Sequence, residues 1–399
     1  MSVKNKVLKL LEENRGSFLS GEKMADSLKV SRTAIWKAMR SLQNEGYSID
    51  AVTNKGYMLH EDSNMLSKEG IELYLKSGAP LHFFHSTDST NKRAAALALE
   101  GACSGTCVIA EHQSAGRGRL GRSFYSPERQ GIYLSVILKP DFDISKAVLI
   151  TAAASVAVKR AIQTVCGACP QIKWVNDLYL DGKKICGILT EAITDFESGQ
   201  ITNIVVGIGI NCSCEDFPDE IQEIAGGIPG SYSKNALAAE VVNQLLDIAS
   251  LTNQTFTSFV SGQLTEAVII GILCFLGMLI LRLPYAGAIS TFVAFTALIP
   301  VFGAWLGGGL GAFLILLADP IKAVWFIIYL LLLQQVEGNL IYPKVVGKSV
   351  GLPGLLVLMA VTVGGEAFGI LGMLFSVPVC AVLYNLYLAF MKNQTPRKG

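Results

Sequence analysis

The stretch Gly116-Arg117-Gly118-Arg119-Leu120-Gly121-Arg122 alternates glycine with arginine. Arginine neutralises phosphate and carboxylate oxygens through a planar fork of donors, and glycine lets a backbone close on a ligand. The composition suits either a loop folded over a phosphate-bearing small molecule or a disordered RNA-binding arm. Other polar residues stand at strand ends: Ser89-Thr90-Asn91, Gln113, Asn211, and Lys173 to Asp177 in "KWVND". A lone Lys173 would be read as a solvated surface lysine, but beside Trp174, Asn176 and Asp177 a catalytic role is favoured. A G-x-x-x-x-G-K-[ST] loop is absent, which excludes ATP use of that type. The nine cysteines include Cys166/Cys169 as C-x-x-C and the close pairs Cys103/Cys107 and Cys212/Cys214. With four histidines and no second C-x-x-C at zinc spacing, reduced structural thiols are expected and no metal site is assigned.

Elements that would position these groups are readable on both sides of the loop. "LHFFHSTDSTNKRAAALALEG" reads as a strand and then a helix, "GTCVIAEHQ" as a strand leading into the loop, and "GIYLSVILKP" as a strand after it. "ISKAVLITAAASVAVKRAIQTV" is a long helix, "QIKWVNDLYLDGKKICGILTEAI" a hairpin turning at Asp181-Gly182, and "ITNIVVGIGINC" a further strand. An arm of low-complexity sequence has no strands pressed against its ends, so the folded loop is favoured.

Upstream, "KNKVLKLLEE" has helical spacing, and Ser20 and Ser31 are placed to cap two further helices. Ile35, Met39 and Leu42 share one face of the last, leaving Arg32, Thr33, Lys37 and Arg40 to face a groove. "YSIDAVTNKGYML" completes a wing, with a turn at Asn54-Lys55-Gly56. Residues 1–62 are therefore expected to bind DNA rather than only dimerise. Lys37, Arg40 and Lys55 would contact phosphates, and Ser31, Arg32 and Thr33, at the start of the helix, would approach the bases.

"STN" at 89–91, "GRGRLGR" at 116–122, "KWVND" at 173–177, "GILTE" at 187–191 and "GIGIN" at 207–211 together resemble the biotin–protein ligases. With the winged pattern in front, residues 1–247 resemble the bifunctional ligase/repressor branch. The resemblance implies an α+β catalytic domain over 80–250 with a mixed sheet. It implies biotinyl-5′-AMP formation from biotin and MgATP, then transfer to a lysine of a biotin carboxyl carrier protein, with operator DNA as a second partner and a homo-oligomer expected. Catalysis would fall to Lys173, Arg117, Arg119 and Asp177. Biotin would meet Ser89, Thr90, Asn91, Gln113, Arg117, Gly118, Arg119 and Lys173, with Trp174 on the apolar floor. The nucleotide would meet Arg119, Arg122, Phe124, Asn176 and Asn211. The family usually has proline where Val175 stands and tryptophan where Phe124 stands; phenylalanine stacks with less area.

From Leu264 to Met391 the only charged residues are Glu266, Arg282, Asp319, Lys322, Glu337, Lys344, Lys348 and Glu366, the sparing use of charge that a bilayer demands. Net charge over the chain is +1, so any basic site is local. The charged opening "MSVKNKVLKLLEENR" is not a signal peptide, so the front is expected in the cytosol. Apolar segments fall at 264–281, 285–302, 303–318, 321–341, 351–365 and 367–391; the first, fourth and sixth reach spanning length. "GQLTEAVIIG", "LIPVFGAWLGG", "QQVEGNLIYPKVVGKSVGLP" and "GGEAFGILGMLFSVPV" resemble the C-terminal half of the AI-2E transporter family over 256–391. Glu337 and Asn339, beside Pro343, are its polar candidates, with a glutamate snorkelling to the interface as the plain alternative.

The expectation is therefore a multidomain chain: winged helix-turn-helix, α+β ligase domain, then all-α transmembrane helices, multi-pass in the cell membrane and in contact with lipid. Lys344, Lys348 and the tail "KNQTPRKG" favour both termini inside and an even number of crossings. The ligases usually continue into a small β-barrel that caps the adenylate, and this chain turns apolar there instead. A transporter fragment with a degenerate front, and a non-functional fusion or assembly artefact, are the alternatives.

Overall fold

Three serines start the first three helices by accepting backbone N–H groups left unpaired at a helix end. Ser2 caps α1 (Val3–Glu13), Ser20 caps α2 (Gly21–Leu28), and Ser31 caps α3 (Arg32–Asn44) with Oγ 3.1 Å from Ala34 N. Val7, Leu11, Ile35, Met39 and Leu42 close the core of this module, with Leu59 from the wing. The wing pairs β1 (Ile49–Val52) antiparallel with β2 (Gly56–Leu59). The computed structural model describes residues 2–61, 63–139, 147–195, 200–213, 217–300, 302–342, 344–345 and 352–394. Cys214, Pro343, Lys348 and the end of the "KNQTPRKG" tail lie outside them. The chain divides into two units, Met1–Ala249 and Ser250–Gly399.

In the first unit, α4 (Lys68–Tyr74) leads to β3 (Leu81–Thr87), α5 (Thr90–Leu99), β4 (Cys107–Gln113) and β5 (Gly131–Leu138). The long helix α6 (Ala147–Cys166) follows, then β6 (Gln171–Lys173), β7 (Asp177–Leu180), β8 (Lys183–Thr194) and β9 (Ile201–Asn211). The sheet order is β3-β4-β5-β9-β8-β7-β6. β3 and β4 are parallel and every other pair is antiparallel, so the sheet is mixed. All eight residues of β5 are buried, which suits a central strand covered on both faces. The β7–β8 turn lies at Asp181-Gly182, both at positive φ. A short helix α7 (Asp219–Gln222) precedes α8 (Lys234–Ile280).

The second unit is helical. Three helical stretches are long and apolar enough to cross a membrane: Lys234–Ile280, Pro320–Ile341 and Gly354–Tyr384. The apolar part of α8 is followed by α9 (Ala286–Ala297), α10 (Gly303–Ala318) and α11 (Pro320–Val336), which continues as a π-helical turn over Glu337–Ile341. These four run up and down. Gln263 Nε2 donates to Ala297 O at 3.0 Å, and Tyr329 Oη to Leu273 O at 2.6 Å. Gly307 lies against Val293, and Gly311 against Ile289 and Phe326.

The last helical stretch, α12 (Gly354–Gln394), is two arms rather than one rod. Phe368 and Gly369 leave helical geometry, Gly369 at φ 63°, a conformation that glycine adopts without a Cβ penalty. Gly364 then meets Gly372 and Ser376, and Val357 and Val361 pack with Val377 and Ala381. The reversal falls between the fifth and sixth apolar segments read from the sequence. Length alone would count Gly354–Tyr384 as one span, but its contacts make it a hairpin.

Candidate active site and nucleic-acid face

The glycine–arginine loop is a folded turn anchored at both ends. Ser114 N and Ala115 N donate to Thr87 O and Asp88 O, each at 2.9 Å. Gly118 N donates to Arg122 O at 2.7 Å and Phe124 N to Gly116 O at 2.9 Å, closing the loop as a small antiparallel hairpin. Leu120 at its tip is 93% exposed. A disordered arm would have none of these bonds.

Beneath the loop lies an open cleft. Its wall includes Ser89, Thr90, Asn91, Gln113, Arg117, Gly118, Arg119, Phe124 and Asn176, all named from the sequence. Gln113 Oε1 accepts from Thr90 N at 2.9 Å, and its amide nitrogen donates to Ser126 Oγ at 3.0 Å. Asn91 Nδ2 donates to Glu191 Oε2 at 2.6 Å, and Arg117 Nη2 reaches the same oxygen at 3.1 Å. Arg119 Nη1 donates to Asn176 Oδ1 at 3.0 Å. These bonds fix amide orientation and bring two guanidinium groups to one rim.

Five named residues are not part of that wall. Lys173 sits with Nζ 4.9 Å from the Tyr179 ring centre. Asp177 is ion-paired with Lys184 at 2.8 Å, and it is Lys184 that lines the cleft. Asn211 Nδ2 donates to Gly226 O at 3.0 Å and Lys184 O at 3.4 Å, tying the end of β9 to neighbouring backbone. Arg122 offers its carbonyl to the loop and its side chain is exposed. Trp174, expected on the apolar floor, is 75% exposed on the β6–β7 connection and away from the cleft.

The floor is a glycine strip. Gly187 of β8 and Gly209 of β9 are register partners, and the Phe124 ring lies on them. A Cβ on Gly187 would come 3.0 Å from Phe124 Cε2, and one on Gly209 would strike the ring outright. Gly207 leaves room for the Asn91 side chain in the same way. Ser135 Oγ, fully buried on β5, lies 2.6 Å from Asn91 Oδ1 and 2.8 Å from Thr90 Oγ1. The sequence reading missed Lys184, Glu191, Ser135 and the roles of these glycines. Glycine on alternate positions of "GIGIN" was the available signal, since glycine inside a strand marks a close approach.

On the winged module, Ser31, Arg32, Thr33, Lys37 and Arg40 are all exposed on α3, and Lys55 is exposed in the wing turn. Arg32 pairs with Glu22, Arg40 lies over the Trp36 ring at 5.4 Å, and Lys55 over Phe18 at 5.7 Å. Trp36, half exposed on this face, was not singled out from the sequence. In the second unit, Glu337 is half-buried and accepts from Gln334 Nε2 at 2.6 Å, while Asn339 is exposed and donates to Gln335 at 3.2 Å.

Comparison with known proteins follows the same division. An HTH domain model matches residues 3–58, a biotin/lipoate A/B protein ligase family model residues 83–211, and an AI-2E family transporter model residues 222–392. Bifunctional ligase/repressor BirA of Bacillus spizizenii is 38% identical over 250 residues, covering 61% of this chain and 76% of that protein. The chain belongs to the bifunctional ligase/repressor family. Its other end is similar to YueF of Bacillus subtilis, a protein classed with transport proteins, at 33% identity over 41% of this chain and 42% of that one. Among solved structures, a biotin protein ligase from Aquifex aeolicus in complex with biotin and ATP aligns at 28% identity and TM-score 0.36, over 42% of this chain and 69% of that one. This ligase/repressor relative thus carries an AI-2E-like helical segment in the same chain.

Proposed function

We propose that this ligase/repressor joins biotin to a carrier protein, regulates transcription through its winged module, and is held at a membrane by its helical unit. The convergence of Arg117 and Arg119 with the Asn91–Gln113 amide network in one cleft carries the reading. Biotin and ATP are both anionic and repel each other. Arg117 and Arg119, with Lys173 swung in from Tyr179, offset that repulsion and the charge that grows on the transferring phosphate. Ser89, Thr90, Asn91, Gln113 and Gly118 serve the ureido ring, and Phe124, Arg122, Asn176 and Asn211 the nucleotide. The biotin carboxylate attacks the α-phosphorus and pyrophosphate leaves. The lysine amine of a carboxyl carrier domain then attacks the acyl carbon and AMP leaves, with Asp177 orienting that amine. Magnesium would arrive with the triphosphate, because it keeps several waters and takes only one or two protein carboxylates. Asp177 and Glu191, carboxylates that bond residues of the cleft wall, are already engaged by Lys184 and Arg117.

The full chain in detergent, given biotin, MgATP and a carrier domain, is expected to attach biotin to the carrier's lysine. Absence of both attachment and biotin binding would overturn this reading. Attachment to lysines outside the carrier is expected as well, because the cap domain of the family gives way here to apolar helix.

DNA binding is proposed for residues 1–62, the ligase domain for 80–250 and the membrane region for 256–391, with an operator and a homo-oligomer as partners. Exchanging Arg40 and Lys55 together for alanine is expected to weaken binding across all sequences and lower the salt slope by about 2. A change confined to one sequence would make Arg40 a base contact instead.

The up-and-down order of α8 to α11 and the α12 hairpin, with Lys344 and the basic tail, support a topology in which both termini face the cytosol. A C-terminal cysteine labelled from outside intact cells would refute this.

A further inference from the structure

The exposed positions of α3 recur at Thr33, Trp36, Lys37, Arg40 and Gln43, three or four residues apart and so on one face of the helix. The opposite face, Ile35, Ala38, Met39 and Leu42, is buried in the core of the winged module. The outward face is basic and polar except for Trp36, which stands at its middle and is 50% exposed. The Arg40 guanidinium lies over the Trp36 ring at 5.4 Å. Among the described residues of the module two other large apolar side chains are exposed, Phe18 and Val52. Val52 ends β1 at the wing turn, and Phe18 lies under Lys55 of that turn at 5.7 Å. Among the described residues, α1 and α2 expose no large apolar side chain.

A tryptophan that served only the core would sit with Ile35 and Met39, where burying its ring removes the most apolar surface from water. Apolar residues exposed singly need no explanation, but these three collect on the helix and wing that carry Lys37, Arg40 and Lys55. An apolar ring set among cations fits a surface that is anionic with apolar features between its charges. Duplex DNA is such a surface. Phosphates border the major groove, and the thymine C5-methyl is the apolar group on its base edges. Trp36 lies in the second turn of α3, within the N-terminal part from which a helix laid in that groove contacts the bases. The indole has one N–H and no charge, so its complement is the methyl group rather than a phosphate.

We propose that Trp36 is a specificity-determining residue of the DNA face, which reads a thymine through its C5-methyl group while Arg40, stacked on the same ring, holds a neighbouring phosphate. The inference rests on the DNA-binding reading of residues 1–62 and goes beyond it by naming the base that is read and the side chain that reads it. The two residues are separable by experiment. Arg40 supplies affinity that is equal on all sequences and falls with salt, whereas Trp36 supplies a preference that salt leaves in place.

The test uses the full chain in detergent and a pool of random-sequence duplexes, from which the retained ones are recovered and sequenced. In the best-retained duplex each thymine is replaced in turn by deoxyuridine, which keeps the base pairing and lacks only the C5-methyl. Replacement of the thymine that Trp36 reads is expected to weaken binding about fourfold, the scale of one methyl group taken out of contact. Trp36→Ala should bind the thymine duplex at least about fivefold more weakly, the lower end for a lost base contact. It should also bind the thymine and deoxyuridine duplexes alike, with the salt slope of the parent chain. Amide exchange in α3 shows that the variant is folded, and Trp36→Gln is the second variant should alanine disturb the helix. A deoxyuridine penalty at no thymine, or one of the same size in the parent chain and in the variant, would overturn the proposal. A loss shared by all duplexes with a lower salt slope would make Trp36 a prop for Arg40, and a loss that follows self-association would make it a contact between copies; either result overturns it too. These outcomes leave the DNA-binding reading standing, whereas a chain that retains no duplex would overturn that reading and this inference with it.

Discussion

Arg119→Ala is expected to slow adenylate formation about 100-fold, the scale of losing one donor aimed at developing charge. The residue is well placed for a clean experiment. Arg119 is exposed, and its side chain is tethered through a bond to Asn176 Oδ1, so its loss should leave the loop hairpin standing. Arg117 is less clean, because it shares Glu191 Oε2 with Asn91, and its removal would disturb that amide as well. Biotin affinity in Arg119→Ala should fall far less than the rate, since the charge to be offset appears mainly during phosphoryl transfer. Lys173→Ala should show the same split, even though Lys173 rests over Tyr179 in the unliganded protein. Single-turnover pyrophosphate release and biotin titration measure the two quantities. Equal losses in both would make Arg119 a simple binding group. A nucleic-acid affinity of the whole chain that tracked Arg117 and Arg119 would return the loop to an RNA-binding role.

The chemistry-bearing residues were legible because motif and element coincide: "GRGRLGR" follows a strand and "STN" opens a helix. What stayed hidden depends on register. Nothing local says that Gly187 faces Gly209, or that the pair clears a seat for Phe124; strand pairing alone brings them opposite. Asn211 looks like a free amide at a strand end, yet the carbonyls of Lys184 and Gly226 claim it. Trp174 looks like floor because it is apolar, but its connection turns it to solvent. The junction at 247–256 reads as a break in likeness, and the boundary between the two units falls inside it, within one continuous helix. No proline interrupts "ASLTNQTFTSFVSGQ", and α8 runs through it. The division of α12 was legible as the gap between segments 351–365 and 367–391, but its reversal was not, since it rests on Gly369 at positive φ and on Gly364 meeting Gly372.

Arg15→Ala is expected to cost the winged module about 3–5 kcal/mol near neutral pH, the penalty of leaving a buried charge without its partner. The Glu12 side chain is wholly buried and takes Arg15 Nη2 at 2.7 Å. Its other oxygen accepts from Asn235 Nδ2 of α8 at 3.2 Å, so the pair also ties the module to the catalytic domain. Burial pushes the Glu12 carboxyl up from its ordinary value of 4.5, and the Arg15 charge, with hydrogen bonds from Arg15 and Asn235, pulls it partly back. Between the ordinary and the raised value the folded protein holds a proton that the unfolded chain has released, so stability falls as pH rises through that window. Without Arg15 the folded value climbs further and the window extends upward. The deficit of the variant should therefore be largest above the window and shrink as pH falls toward the carboxylate range, where Glu12 is protonated in both states. Amide exchange in α1 and α3 of the full chain reads this locally, and Glu12→Gln added to Arg15→Ala should restore most of the protection. A deficit that does not change with pH would mean that Arg15 acts through the carbonyls it also holds, those of His60, Glu61 and Ser63, and that the ion pair contributes little.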